Sequence, residues 1–215
     1  MARATRGLTT RRFLIVRGNG RRVDPDEFRA RGLRCHLLLH DSALHDVWRI
    51  DLRGGGPDRT MLDIHPLLPA LLEPQNRASR YLFALRWAIG RRLGWDETDN
   101  RWSPESDPQT YIHRLTEDDR SRSLLPPGSP AGPFHVVYLF PDEAAYELRN
   151  ATVHGFLVTT LEPAPGGYTL QLAIYVKPVS RLTPLYMAAI DPFRRFIIYP
   201  ALIKQLEASW ATARG

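Results

Sequence analysis

The sequence predicts an α+β domain: a curved antiparallel sheet around a long C-terminal helix. Three observations carry this. Strand-like runs follow one another without interruption from Phe134 to Lys177. One isolated alternating run, "VWRIDL", precedes them and is separated from them by a helical stretch. The last segment opens on a natural helix start and carries an apolar seam at helical spacing. A sheet with one apolar face needs a cover, and this helix has the stripe to provide it.

The elements follow in chain order. Residues 1–32 are arginine-rich and aperiodic apart from Phe13 to Val16, which marks them as a poorly ordered or peripheral basic extension. The single domain is expected over residues 33–215. In "VWRIDL", Trp48, Ile50 and Leu52 fall on one face and Val47, Arg49 and Asp51 on the other, the alternation of a half-buried strand. "RGGGPD" then breaks it. In "ASRYLFALRWAIGRRLGW", Leu82, Leu85, Ile89 and Leu93 form a helical stripe and Gly94 is a stop. Residues 96–108 and 117–133 are loops around a short strand, "YIHRL".

Next come "FHVVYLF", "AAYELRN", "ATVHGFLVTTL" and "YTLQLAIYVK", with "EPAPGG" as the hairpin loop between the last two. Setting Leu157 opposite Leu172 puts Gly155 opposite Ile174 and Val153 opposite Val176, one apolar face toward the helix. The other face then carries Thr152, His154, Phe156 and Val158, with His154 beside Tyr175. The terminal helix begins at Thr183 as N-cap with Pro184 at the first position. Tyr186, Ile190, Phe193, Ile197, Ile203, Leu206 and Trp210 form its seam. Pro192 and Pro200 should bend it to follow a curved sheet.

The net charge of +6 suggests a nucleic-acid binder until it is located. Residues 1–34 hold ten arginines against Asp24, Asp26 and Glu27, or +7, so the rest of the chain sums to −1. Specific nucleic-acid binding is therefore not expected, and contact with anionic surfaces is confined to the basic extension. No apolar run approaches the roughly eighteen residues of a membrane helix. Cys35 is the sole cysteine, which excludes an internal disulfide and fits a reducing, cytoplasmic setting. The sequon at Asn150 is then silent, since it acts only in secreted chains.

Few chemical motifs survive inspection. His36 and His40 have the spacing of a helical metal pair, but "CHLLLH" reads equally well as a strand, and neither HExxH nor a paired CxxC is present, so no metal or cofactor is expected. "GNGRRV" and "RGGGPD" lack the context of phosphate-binding loops. No GxSxG elbow exists. Candidates for acid–base work are His154, His113 and Tyr138, each a polar ring placed on an apparent strand.

The stretches "RYLFALRWAIGRRLGWD", "NATVHGFLV", "GGYTLQLAIYVKP" and "YMAAIDPFRRFIIYP" resemble the bacterial family known as domain of unknown function 2867, over roughly residues 45–212. That resemblance implies a place near the helix-grip superfamily, with its pollen-allergen-like, START lipid-transfer and polyketide-cyclase-like members. It carries no agreed activity and no catalytic residue.

A curved sheet gripping a helix leaves room for a cavity. The expected function is binding of a small, mostly apolar molecule there, lined by Trp87, Tyr138, Gly155, Leu157, Leu172, Ile174, Tyr186 and Phe193. A cyclase- or dehydratase-like enzyme and a scaffold with a filled cavity are the alternatives. Self-association as a homodimer is left open.

Overall fold

A computed structural model describes residues 20–68, 103–149, 153–179 and 199–212. Its centre is a seven-stranded sheet in the order β1-β2-β7-β6-β5-β4-β3, antiparallel at every pairing. The strands are β1 (Gly20–Arg22), β2 (Ala43–Arg53), β3 (Pro130–Ala131), β4 (Phe134–Leu139), β5 (Glu143–Arg149), β6 (Val153–Ala164) and β7 (Gly167–Pro178). The described helices are α1 (Pro25–Arg29), α2 (Arg34–Leu38), α3 (Met61–Ile64), α4 (Glu117–Arg122) and α5 (Tyr199–Thr212), with a 3-10 helix at Tyr111–Arg114. β3 to β7 form a meander, and the early strand β2 returns to pair with the last, β7.

The alternation in β2 divides two cores. Trp48, Ile50 and Leu52 join Leu157, Leu161, Leu170 and Leu172 on the inner face, against Ile203, Leu206 and Trp210 of α5 and Met61 and Ile64 of α3. Val47 joins Phe156, Val158 and Ala173 on the outer face, against Phe28 of α1, Cys35 and Leu38 of α2, and Tyr111 and Ile112. The sheet is thus covered on both sides where the sequence predicts one cover. The outer cover consists of pieces too short to print a period: α1 and α2 have five residues each.

This corrects the boundary expected at residue 32. Residues 20–32 are part of the fold: β1 extends the sheet beside β2, and Phe28 is 1% exposed. Burying such a ring contributes about 1.5–3 kcal/mol, enough to hold a short segment in place. Residues 1–19 lie outside the described residues.

The β6–β7 pairing keeps the predicted faces but slips by one side-chain period. Leu157 lies opposite Ile174, Gly155 opposite Val176, and His154 opposite Lys177 in place of Tyr175. The reason is the turn. Strand pairing runs through Glu162 and Pro163 to Ala164, leaving only Pro165 and Gly166 as the connection. Gly166 takes φ 77°, which a type II turn requires after a proline.

Three further readings change. "YIHRL" is the 3-10 helix, started by the Thr110 hydroxyl accepting from the Ile112 N–H. "CHLLLH" is helical from Arg34 to Leu38. In β4 a bulge between Val136 and Tyr138 breaks the alternation, so Tyr138 turns to the outer face with Val137. Of the terminal helix, the described part is the 14 residues of α5. The predicted start at Thr183, the helical stretch over 78–95 and Asn150 lie outside the described residues.

Candidate functional site

Inner-face residues of four strands meet in rows. One row runs Tyr146, Leu157, Ile174, Asp46 across β5, β6, β7 and β2. The next runs Leu148, Gly155, Val176, Ala43. The described side chains of α5 are seated toward the opposite end of the sheet. A Cβ on Gly20, which pairs with Ile50, would run into Ile203, and the Trp210 ring lies 5.6 Å from that of Tyr168. At the Gly155 end, Leu157 and Val176 are buried, yet Gly155 and Ile174 between them stay partly exposed. A Cβ on Gly155 would meet nothing nearer than 3.9 Å among the described residues.

This apolar floor has polar margins. Asp46 is fully buried, and its Oδ1 lies 3.1 Å from Nη2 of Arg22, whose side chain is 36% exposed. At the β5 end the fully buried Tyr146 hydroxyl is 3.4 Å from Nδ1 of His65, and the two rings stack. Burial lowers the His65 pKa, keeping the ring neutral at physiological pH.

The outer face carries two buried glutamates from one side of β5. Glu143 accepts from the backbone N–H of Arg34 (2.9 Å) and Cys35 (2.8 Å) and from the Tyr138 hydroxyl (2.7 Å). It does the capping that Leu33, the N-cap of α2, cannot do with its own side chain. Glu147 accepts from the Thr110 hydroxyl (2.6 Å) and the Tyr111 N–H (3.1 Å), fixing the start of the 3-10 helix. Its Oε1 is also 2.5 Å from Nε2 of His154.

The predicted candidates separate accordingly. His154 is 2% exposed, on the face away from α5 as predicted, but under Tyr111 and Phe156 with ring centroids at 5.2 and 4.7 Å. The pair ties two elements together and offers no open atom to a substrate. Tyr138 is fully buried on the same outer face, so it lines no space beneath α5; burial and the adjacent Glu143 carboxylate push its pKa well up. His113 sits exposed on the 3-10 helix. Gly155, Leu157, Leu172 and Ile174 do share the inner face. Trp87, Tyr186 and Phe193 lie outside the described residues. His36 spends its ring on the Tyr175 hydroxyl and the Phe28 carbonyl, both at 3.0 Å, and His40 bonds the Leu37 carbonyl. Among the described residues no three metal-ligating side chains converge. The Cys35 thiol is pushed up by burial, the opposite of an activated nucleophile.

Two arginine–carboxylate pairs complete the outer face and predict acid sensitivity. Arg34 holds Asp119 through Nε (2.8 Å) and Nη2 (2.6 Å), and its hydrogen bond lowers the Asp119 pKa from 3.8 to about 2. Arg114 holds Asp41 through both Nη atoms at 2.9 Å, joined by Lys177 and the Tyr111 hydroxyl, and lowers Asp41 further. A carboxyl depressed in the folded state stabilises fully above its ordinary pKa and loses that contribution as pH falls through the folded value. Melting temperature should therefore drop as pH falls from 3.8 to about 2. Asp119→Asn should lower stability at neutral pH and flatten that slope, as read by thermal melts across the range.

Asp46, Arg22, Glu143 and Glu147 are not among the residues that the sequence motifs single out. Glu143 and Glu147 sit four apart around Ala145 in "EAAYE", so a strand puts both on one face beside an apolar residue. That was the available signal. Nothing in the chain order foretells that Arg22 reaches Asp46.

A seven-stranded antiparallel sheet with helices packed on both faces makes this an α+β protein. The family model described as "Protein of unknown function (DUF2867)" matches residues 38–201, and the chain belongs to that family. No curated protein and no solved structure is significantly similar to it.

Proposed function

We propose that this protein binds a small, mostly apolar molecule between the curved sheet and the C-terminal helix, over the floor of Gly155, Leu157, Ile174 and Val176. The observation that carries this reading is the partial exposure of Gly155 and Ile174 beside the buried Leu157 and Val176 on the inner face. A face of that kind, without a side chain at one of its positions, suits an apolar guest. The strand order, with the early strand pairing the last and a helix following it, supports kinship with the helix-grip folds. A sole, buried cysteine supports a cytoplasmic setting. Among the described residues no helix is long and apolar enough to cross a membrane. Catalysis is the poorer reading, because the buried histidine–carboxylate pair seen among the described residues, His154 with Glu147, lies on the other face.

Gly155→Leu tests it. The new side chain should occupy the guest's place, so uptake of a fluorescent apolar probe falls while the melting temperature changes little. His154→Ala, on the opposite face, should leave uptake near the wild-type value. Unchanged uptake in Gly155→Leu would remove the site from this floor.

A further inference from the structure

Arg21, Arg49 and Gln171 stand side by side on the outer face of three neighbouring strands, and we propose that together they hold a phosphate group, free or carried as a monoester. The site lies on the opposite side of the sheet from the apolar floor and stands or falls independently of it.

The register builds the site. Arg21 of β1 lies opposite Arg49 of β2, Arg49 opposite Gln171 of β7, and Gln171 opposite Thr160 of β6. Val47 and Ala173, two residues from Arg49 and Gln171, belong to the outer core, so the whole row is on that face. Adjacent strands lie about 4.8 Å apart, so the first three side chains start within about 10 Å of one another and can close on one small anion.

The row is rich in donors and short of acceptors. Arg31, reaching in from the α1–α2 link, donates to the Thr160 hydroxyl (3.1 Å), to Gln171 Oε1 and to the Glu162 carboxylate. Arg49 spends Nε on Asp51 (3.1 Å) and Nη2 on the Thr169 hydroxyl (3.0 Å). Arg31 and Arg49 are thus each matched by one carboxylate. Arg21 is exposed and has no carboxylate partner among the described residues. Its charge faces that of Arg49, and like charges directly opposite each other on paired strands are destabilising. Gln171 is 6% exposed. A guanidinium only donates, so the amide atom facing Arg31 is the oxygen, and the nitrogen is turned away from it. That nitrogen has no acceptor among the described residues. An anion seated between the two arginines and against Gln171 offsets the repulsion and gives the amide its acceptor.

Shape decides which anion. A carboxylate offers two oxygens in one plane, enough for one arginine fork. Phosphate offers at least three oxygens on tetrahedral axes, which Arg21, Nη1 of Arg49 and the Gln171 amide can meet from three strands. Its charge of about −1.5 to −2 at neutral pH falls between two guanidinium groups. Asp51, two residues from Arg49, is more than half exposed, so its repulsion is screened by solvent and salt.

Isothermal titration calorimetry of the full chain in physiological salt tests this with inorganic phosphate, glycerol phosphate and acetate. Wild type should bind both phosphates at least about tenfold more tightly than acetate. Tighter binding of glycerol phosphate than of inorganic phosphate assigns the group to an ester, and equal binding to the free ion; both support the site. Arg21→Gln, at an exposed position, should weaken phosphate binding about tenfold, the worth of one charge-assisted hydrogen bond. Gln171→Glu keeps an acceptor for Arg31 but sets a negative charge against the phosphate, and should weaken binding at least as much. Arg29→Gln removes the same charge from α1, where the guanidinium is turned to Asp26, and should bind like wild type. Should Gln171→Glu fail to fold, Arg21→Gln and Arg29→Gln decide between them. Equal binding of phosphate and acetate, undiminished binding in Arg21→Gln, or equal losses in Arg21→Gln and Arg29→Gln overturns the proposal, the last by reducing it to general attraction toward a basic chain.

Discussion

Phe28→Ala is expected to destabilise the protein by about 3–5 kcal/mol, as large truncations in a packed core do. The ring is 1% exposed and seats α1 against the outer face, with its edge against His36 and near the Arg31 guanidinium. Arg31 in turn reaches from the α1–α2 link to Thr160, Gln171 and Glu162 on the sheet. Losing Phe28 loosens that whole cover. Arg29→Ala, one residue on, is the control. Its pair with Asp26 is at 2.8 Å but both side chains are more than half exposed, so the cost should stay well under about 1 kcal/mol. Urea unfolding of the two variants reads the difference. Similar costs would mean that residues 20–32 are the peripheral extension their composition suggests.

Glu147→Ala should cost a similar amount, about 3–5 kcal/mol, for a different reason. It removes no large apolar surface. It strips the partner from the Thr110 hydroxyl, the Tyr111 N–H and the His154 ring at once, all of them buried. Breaking a buried pair from one side leaves the other group desolvated and unsatisfied. Glu147→Gln keeps an acceptor oxygen and should cost clearly less. Equal losses in the two variants would mean that the charge itself, and not the acceptor geometry, holds the 3-10 helix in place.

Both effects lie on the outer face, the half of the fold least legible in the sequence. The inner face could be read because its residues repeat with period two over long strands: Trp48, Ile50 and Leu52 on β2, and the odd positions of β6. Even a hairpin misjudged by one side-chain period kept these residues on the right side, since a slip of that size preserves the face. The outer cover left no such trace. Its helices are shorter than two turns, and what fixes them comes from residues distant in the chain: Glu143 capping Arg34 and Cys35, Glu147 capping Tyr111. Tyr138 departs from the expected lining because a single bulge shifts phase without altering composition. His154 lies on the face that alternation assigns to it, yet that face, polar in sequence, is covered. His154, Thr160, Thr169 and Gln171 are all buried there under short segments that alternation alone does not reveal.

The central claim is that the floor around Gly155 holds a small apolar guest. Native mass spectrometry of gently purified wild type and Gly155→Leu tests it most directly. The account predicts a small neutral adduct on the wild-type chain that is absent or strongly reduced on a folded Gly155→Leu variant. An adduct of equal mass and occupancy on both proteins, or a bare wild-type chain that also takes up no added apolar probe, would contradict it.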